Sequence, residues 1–437
     1  MGSERGFSSP ADAREIVWKL ATVTALGCVH NRCKMSEAKH TPRPNPAQPV
    51  LCLRNADRVR GRRRIASSHD VAMTIPLFDT RTPLEPVLGR VRERLLAAVD
   101  DGAYILGPEV QAFEREFAQA TGVPHAVGVA NGTDALAIAL RALGVGHGDE
   151  VVVPSFTFYA SAEAIAYIGA TPVFCDIDLD TYCVTPDTVK AALTPRTRAV
   201  VAVDLFGNPA PIADILALGV PVVEDAAQAA GTVVGGRPAG SLGTLATFSF
   251  FPSKNLPCFG DGGAITTSDA DLDERVRMLR FHGSRDKKVF EEVGTNSRLD
   301  ELQAAVLRVL LGEMPRWSDG RRAAARAYLD AGLGEHVALP QPTAGADPAW
   351  HLYIVRHARA DALIEALGAA GVQARAYYRR PLHRQPAMER LVPTGDLPAT
   401  EEAARTHLAL PMSPVLSVEQ VEAVVAAVRQ AEAQVIA

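Results

Sequence analysis

The chain has 437 residues, 47% apolar and 22% charged, the balance of a soluble globular protein with room for two or three domains. Its formal net charge of −5 gives no reason to expect nucleic acid or an anionic membrane as partner, and no apolar run approaches the roughly 20 residues that cross a bilayer. Cys28, Cys33, Cys52, Cys175, Cys183 and Cys258 lie scattered, which argues against a disulfide framework and fits a reducing, cytoplasmic compartment.

Residues 1–72 differ in character from the rest of the chain. They hold the basic run Arg60-Gly61-Arg62-Arg63-Arg64 and a proline-rich stretch between Pro42 and Pro49, with no sustained periodicity. Segment 16–28 is mildly apolar but lacks the layout of a signal peptide. Cys28 and Cys33 flank His30 at a spacing that would supply half a zinc site, but no second pair is present, so no metal is expected. One reading of this segment is a basic targeting or nucleic-acid arm. The favoured one is a disordered extension, or a start codon set too far upstream, with the folded chain beginning at Met73.

From Met73 onward the pattern is regular. Helical spacing runs over 88–99, breaks at Gly102 and Gly107-Pro108, and resumes over 109–120. A short apolar strand at 125–130 leads into Asn131-Gly132-Thr133-Asp134 and a helix over 135–143. A helix N-terminus after a strand offers unpaired N–H groups to a phosphate; a plain N-cap by Asn131 or Thr133 explains the same residues equally well. Further strands are expected at 150–154, 172–176, 199–204 and 221–225, with helices through 168 and over 212–218. This alternation predicts a mainly parallel sheet with helices on both faces, binding its ligand at the carboxyl ends of the strands. Four polar clusters fall at such ends, beginning at Asn131, Ser155, Asp225 and Ser249.

The last of these, Ser249-Phe250-Phe251-Pro252-Ser253-Lys254-Asn255, precedes Gly260-Asp261-Gly262-Gly263. Alone, Lys254 reads as a surface lysine at a strand end. Buried, its amine would lose charge and become a nucleophile suited to a Schiff base. Asp225 could be a metal ligand, a helix cap or the partner of a protonated ring nitrogen. Gln228 stands one turn beyond it, Ser249 could reach a phosphate, and Phe158 could stack on a ring or simply fill the core. Cys258 suggests no chemistry. Further on, helices are expected over 299–311 and, after an interruption at Pro315, over 321–329. A strand at 350–355, a helix over 361–370, an extended segment at 374–378, a loop at 381–386 and a final helix over 418–431 make a βαβ-like remainder.

These motifs resemble the DegT/DnrJ/StrS family of pyridoxal 5'-phosphate (PLP)-dependent sugar-nucleotide aminotransferases. The resemblance runs from about Ile75 to the C-terminus. It is carried by Asn131-Gly132-Thr133-Asp134-Ala135-Leu136, Pro154-Ser155-Phe156-Thr157-Phe158, Glu224-Asp225-Ala226-Ala227-Gln228, the Lys254 and glycine runs, and Gly294-Thr295-Asn296-Ser297-Arg298-Leu299-Asp300. It implies an α/β fold of type I, with a seven-stranded, mainly parallel sheet in a large domain over 73–315 and a smaller α/β domain over 316–437. It implies that Lys254 forms the Schiff base and moves protons, that Asp225 pairs with the pyridine nitrogen, and that Gln228 bonds the phenolic oxygen. Phe158 would stack on the ring, and Gly132, Thr133 and Ser249 would bind the phosphate. Asn296, with Arg298, would reach the cofactor site of the other subunit of a homodimer. Tyr378 and His383 match positions near the sugar nucleotide, although His383 also reads as a satisfied loop residue.

The implied reaction moves the amino group of L-glutamate to a nucleotide-linked keto sugar, for surface polysaccharide or glycosylated-metabolite biosynthesis. The stretch from Phe281-His282-Gly283-Ser284 to Asp300 leans towards 3-keto over 4-keto substrates. Three rival functions make different demands on the sequence. A dehydratase of the same family would carry histidine in place of Lys254. A non-catalytic regulator would lack Lys254, Asp225 or Gln228. A Rossmann dehydrogenase would show Gly-x-Gly-x-x-Gly after its first strand, and none is present.

Overall fold

Seven short strands make the central sheet of the computed structural model, which describes residues 74–436. The expectations placed on residues 1–72, including the Cys28–Cys33 pair, lie outside the described residues. In chain order the strands are β1 (His125–Val129), β2 (Glu150–Pro154), β3 (Thr171–Cys175), β4 (Thr197–Val203), β5 (Val222–Asp225), β6 (Leu245–Ser249) and β7 (Gly263–Thr267). Their order across the sheet is β1-β7-β6-β5-β4-β2-β3. Only β7 is reversed, pairing antiparallel with both β1 and β6. The strands β6, β5, β4, β2 and β3 pair parallel. β2 and β5 are buried along their whole length, as valine-rich strands covered on both faces require.

From sequence, β6 shows only as the strand end at Ser249, and β7 does not show at all. Both lie inside serine-, threonine- and glycine-rich stretches whose period-2 signal is weak. The helix between β7 and the next loop, α4 (Ala270–Leu279), is capped by Asp269, whose carboxylate accepts the N–H groups of Asp271 and Leu272. Earlier helices are α1 (Pro108–Thr121), α2 (Gly132–Ala142) and α3 (Ala160–Tyr167).

Pro315 does not interrupt a helix but opens one. Helix α5 (Glu301–Leu311) ends before it, and α6 (Met314–Asp330) carries the proline in its first turn, where its missing N–H costs nothing. The remainder keeps a βαβ element in split form. Strands β8 (Tyr353–Arg356) and β9 (His407–Leu410) pair antiparallel, Tyr353 opposite Leu410. The segment expected to be extended at 374–378 bridges only at Arg375, antiparallel to Ala409. Since β8 and Arg375 both run antiparallel to β9, the 374–378 segment returns parallel to β8 after the helix Ala360–Ala369, and the chain then doubles back through Pro398–Thr406 to lay β9 between them. Tyr328, Leu363, Leu367, Leu408, Val421, Val424 and Val428 form the core here, joined by Ile75 from the start of the described chain. Among the described residues no helix is long and apolar enough to cross a membrane.

Candidate active site

At the carboxyl ends of β1, β5 and β6 lies a cavity of about 700 Å³. Three of the four polar clusters meet there through Gly132 and Thr133, Asp225 and Gln228, and Ser249 and Lys254; Phe158 brings the fourth.

One end is built from backbone. Asn131 caps α2 by accepting the Asp134 N–H at 2.8 Å. The Gly132 and Thr133 N–H groups have no partner among the described residues. They stand at the positive end of a helix, where an anion is favoured. Gly132 is required there: a Cβ would lie 2.8 Å from Ser249 Cβ. Gly263 on β7 is equally constrained, since its Cβ would lie 2.5 Å from the Asn131 carbonyl oxygen. The two glycines let β7 and the Ser249 turn close on the helix N-terminus. N-capping and anion binding are therefore not alternatives here; Asn131 does the first and leaves the next two N–H groups for the second.

At the other end Asp225 closes β5, buried, with Oδ2 accepting the Ser161 hydroxyl at 2.8 Å and Oδ1 the Ala227 N–H at 3.3 Å. Burial pushes its carboxyl above the usual range; the Ser161 donor, the Lys254 charge and the Ala227 N–H oppose that. Gln228 is fixed in orientation. Its Oε1 accepts the Phe206 N–H at 2.8 Å, which turns Nε2 into the cavity as a donor, and one of its hydrogens goes to Tyr378 Oη at 3.3 Å. A phenolate oxygen needs such a donor. Phe158 lines the cavity yet is 55% exposed, an aromatic face without a cover.

Lys254 lies beyond β6 on a turn pinned by its neighbours. Its own N–H donates to the Phe251 carbonyl at 2.8 Å, and Asn255 Nδ2 donates to the Ala230 and Ala349 carbonyls. Desolvation pulls the amine down to about 8, against the opposing pull of Asp225. An amine of that pKa holds a neutral fraction of about a tenth at pH 7, far more than an ordinary lysine, and that fraction can attack a carbonyl. Cys258, in the same turn, is buried, donates to the Gly260 carbonyl and is pushed up to about 12, so it is an inert thiol.

The cavity does not gather every residue expected of it. Asn296 is exposed and bridges Phe281 through the backbone, and Arg298 lines no part of the cavity. His383, expected near the sugar nucleotide, is instead buried outside the cavity lining. Its Nδ1 lies 2.6 Å from Ser155 Oγ and its Nε2 3.0 Å from Glu401, so both ring nitrogens are already satisfied. Tyr378 does line the cavity. Ser161, His351 and Phe78 line it too and were not anticipated. Ser161 lies just beyond the Ser155 cluster on α3, a weak hint; His351 reads from sequence only as part of a strand.

A desolvated lysine, a buried carboxylate and an open helix N-terminus at the strand ends of an α/β sheet define an enzyme of the lysine-dependent transferase type. The comparisons identify it further: the chain belongs to the DegT/DnrJ/EryC1/StrS aminotransferase family, whose model matches residues 89–429. It is 45% identical, over 83% of its length and 98% of the relative's, to the dTDP-3-amino-3,4,6-trideoxy-alpha-D-glucose transaminase of Streptomyces venezuelae. It is 42% identical, over 82% of its length and 97% of the relative's, to the UDP-N-acetyl-3-dehydro-alpha-D-glucosamine 3-aminotransferase of Acidithiobacillus ferrooxidans. Among solved structures it is similar to S. venezuelae DesV in complex with a ketimine intermediate, with a TM-score of 0.79 and 45% identity over 82% of this chain and 98% of that one. The expected fold class and the aminotransferase assignment both stand.

Proposed function

We propose that this enzyme is a PLP-dependent sugar-nucleotide aminotransferase that carries the amino group of L-glutamate to a 3-keto sugar linked to a nucleoside diphosphate. The observation that carries the reading is Lys254: a desolvated amine facing Asp225 in the cavity into which an unpaired helix N-terminus opens. Residues fit the cofactor throughout. Gly132, Thr133 and Ser249 would hold its phosphate, Asp225 its ring nitrogen and Gln228 Nε2 its phenolic oxygen, while Phe158 would cover its face. When bound, PLP supplies an electron sink that stabilises charge at the substrate carbon. Asp225 would keep the ring nitrogen protonated. Lys254 would hold the cofactor through its amine and move the proton at the reacting carbon. Tyr378 borders the substrate side.

The 3-keto preference is supported by the relatives, whose names place the amine on carbon 3. We further propose a homodimer in which the exposed Asn296, with Arg298, completes the partner's site, a cytoplasmic location, and a division into a large domain over 73–315 and a small one over 316–437. Lysine rather than histidine at 254 favours transamination over dehydration. The test is a pair of half-reactions on purified enzyme. L-Glutamate should bleach the visible band of the bound cofactor, and a 3-keto sugar nucleotide should restore it. A band that does not respond to any amino acid would overturn the transaminase reading; restoration by 4-keto sugars alone would overturn the carbon assigned.

A further inference from the structure

Close to Lys254 stand two groups that the cofactor does not account for. Arg321 projects from α6 and is 7% exposed. Its Nη1 donates to the Trp350 carbonyl at 3.1 Å and the His351 carbonyl at 3.5 Å, and its Nε has no partner. Among the described residues no carboxylate forms an ion pair with it. A buried cation without a counter-ion is costly, and the cost falls when an anion arrives. His351 is 4% exposed, lines the main cavity with Lys254, and leaves Nδ1 buried without a partner. The Phe78 ring, 5.9 Å from it between centroids, limits its rotation.

The two groups lie side by side, Arg321 Nη1 bonding the His351 carbonyl, but line neighbouring spaces, His351 the main cavity and Arg321 a recess beside it. A small recess lined by Phe78, Ser253, Lys254 and Arg321 shares its first three residues with the main cavity. Burial and the charges of Lys254 and Arg321 hold the His351 imidazole well below its usual pKa, neutral and able to donate a hydrogen bond. Asp79, whose Oδ1 accepts the Arg81 and Thr82 N–H groups, lines the recess with Arg321, and neither it nor Asp134, Asp225 or Asp261 of the cavity forms an ion pair with that guanidinium.

Resting on the transaminase reading, we propose that His351 and Arg321 form the seat for the carboxylate of the amino donor, with His351 in contact and Arg321 supplying the field and holding the His351 backbone. A keto-sugar ring without a carboxylate gains little from such a corner, and the diphosphate of the sugar nucleotide is carried on C1, not on the reacting C3. An α-amino acid must bring its nitrogen to the position of the Lys254 amine, and its carboxylate is attached to the same carbon. A buried, unpaired donor beside a buried, unpaired cation, adjacent to that amine, is the arrangement that recognises it.

The experiment separates the two halves of the reaction in the holoenzyme. In His351→Leu the apparent Kd for L-glutamate should rise about 10-fold or more, the scale of a lost hydrogen bond to a charged group. His351→Gln, which restores a donor, should recover most of it. Arg321→Lys should weaken the donor half-reaction in the same direction. The keto-sugar half-reaction, started from the aminated enzyme, should lose less than the donor half-reaction in His351→Leu. Calorimetry with 2-oxoglutarate gives a readout independent of turnover and should show the same loss. Wild-type affinity for 2-oxoglutarate in both His351→Leu and Arg321→Lys overturns the seat, as does equal loss in both half-reactions. A wild-type enzyme that no amino acid converts overturns the transaminase reading instead, so the two failures are distinguishable.

Discussion

Removing the Ser161 hydroxyl tests the chemistry of the site more sharply than removing Lys254. Ser161 donates to Asp225 at 2.8 Å, and the other contact of that carboxylate, from the Ala227 N–H, is long at 3.3 Å. No charge is deleted by Ser161→Ala, and the volume change is one oxygen. A hydrogen bond to a charged group contributes about 1.5–3 kcal/mol. If all of it favours the ionised carboxyl, the Asp225 pKa rises by about 1–2 units at about 1.4 kcal/mol per unit. Asp225 already lies above the usual range because it is buried, so a further rise brings it towards the working pH. The acid limb of kcat/KM should move up by about 1–2 units, and PLP affinity should weaken progressively as pH falls. For apoenzyme stability the sign is fixed by linkage. A carboxyl whose folded pKa is raised contributes stability at low pH that is lost as pH rises through that pKa. The Tm loss of Ser161→Ala should therefore be largest at neutral or higher pH and shrink in acid, where protonated Asp225 no longer needs the donor. Ser161→Thr should restore the limb. An unchanged acid limb together with an unchanged PLP titration would refute the role given to Ser161.

Three further outcomes are expected. Lys254→Ala should fold yet show no turnover, and in wild-type apoenzyme the rate of PLP capture should rise with pH and level off above about 8, where the amine is neutral; Asp225→Asn removes the charge that holds this pKa up, so its capture curve should shift to lower pH, and a flat curve in wild type would contradict the assigned desolvation. Gly132→Ala places a Cβ 2.8 Å from Ser249 Cβ, so the phosphate end must open; overpacking of that kind costs about 1–3 kcal/mol, which equilibrium titration should read as roughly tenfold or greater loss of PLP affinity, with wild-type affinity counting against the cradle. Co-assembly of Lys254→Ala with Asn296→Ala chains should regain activity that neither has alone, because a mixed dimer would keep one whole site if Asn296 serves its partner; no gain would place Asn296 in its own subunit's site or outside catalysis.

What the sequence conveyed depended on how local each feature is. β1, β2 and β5 end in polar clusters that reach the cavity, and each strand-then-turn unit is read within a short window, so Gly132, Phe158 and Asp225 could be named before any of them was brought together. Lys254 was legible in the same way, from the aromatic and glycine residues on either side of it. β7 escaped because its pairing is decided elsewhere: Gly263 is opposite Val129 and packs on the Asn131 carbonyl, a contact between segments more than a hundred residues apart. Separation along the chain likewise hides Ser161 from Asp225 and His351 from Lys254. Composition around a strand records whether it is buried, not which partner its neighbours will meet. His383 shows the converse error. In sequence, a histidine in Pro381-Leu382-His383-Arg384 looks available; in the fold, Ser155 and Glu401 occupy both ring nitrogens. His351, which looked like a strand residue, keeps a nitrogen unsatisfied beside the reactive lysine. Hydrogen-bond satisfaction is a property of the assembled neighbourhood, and it reverses the ranking of these two histidines.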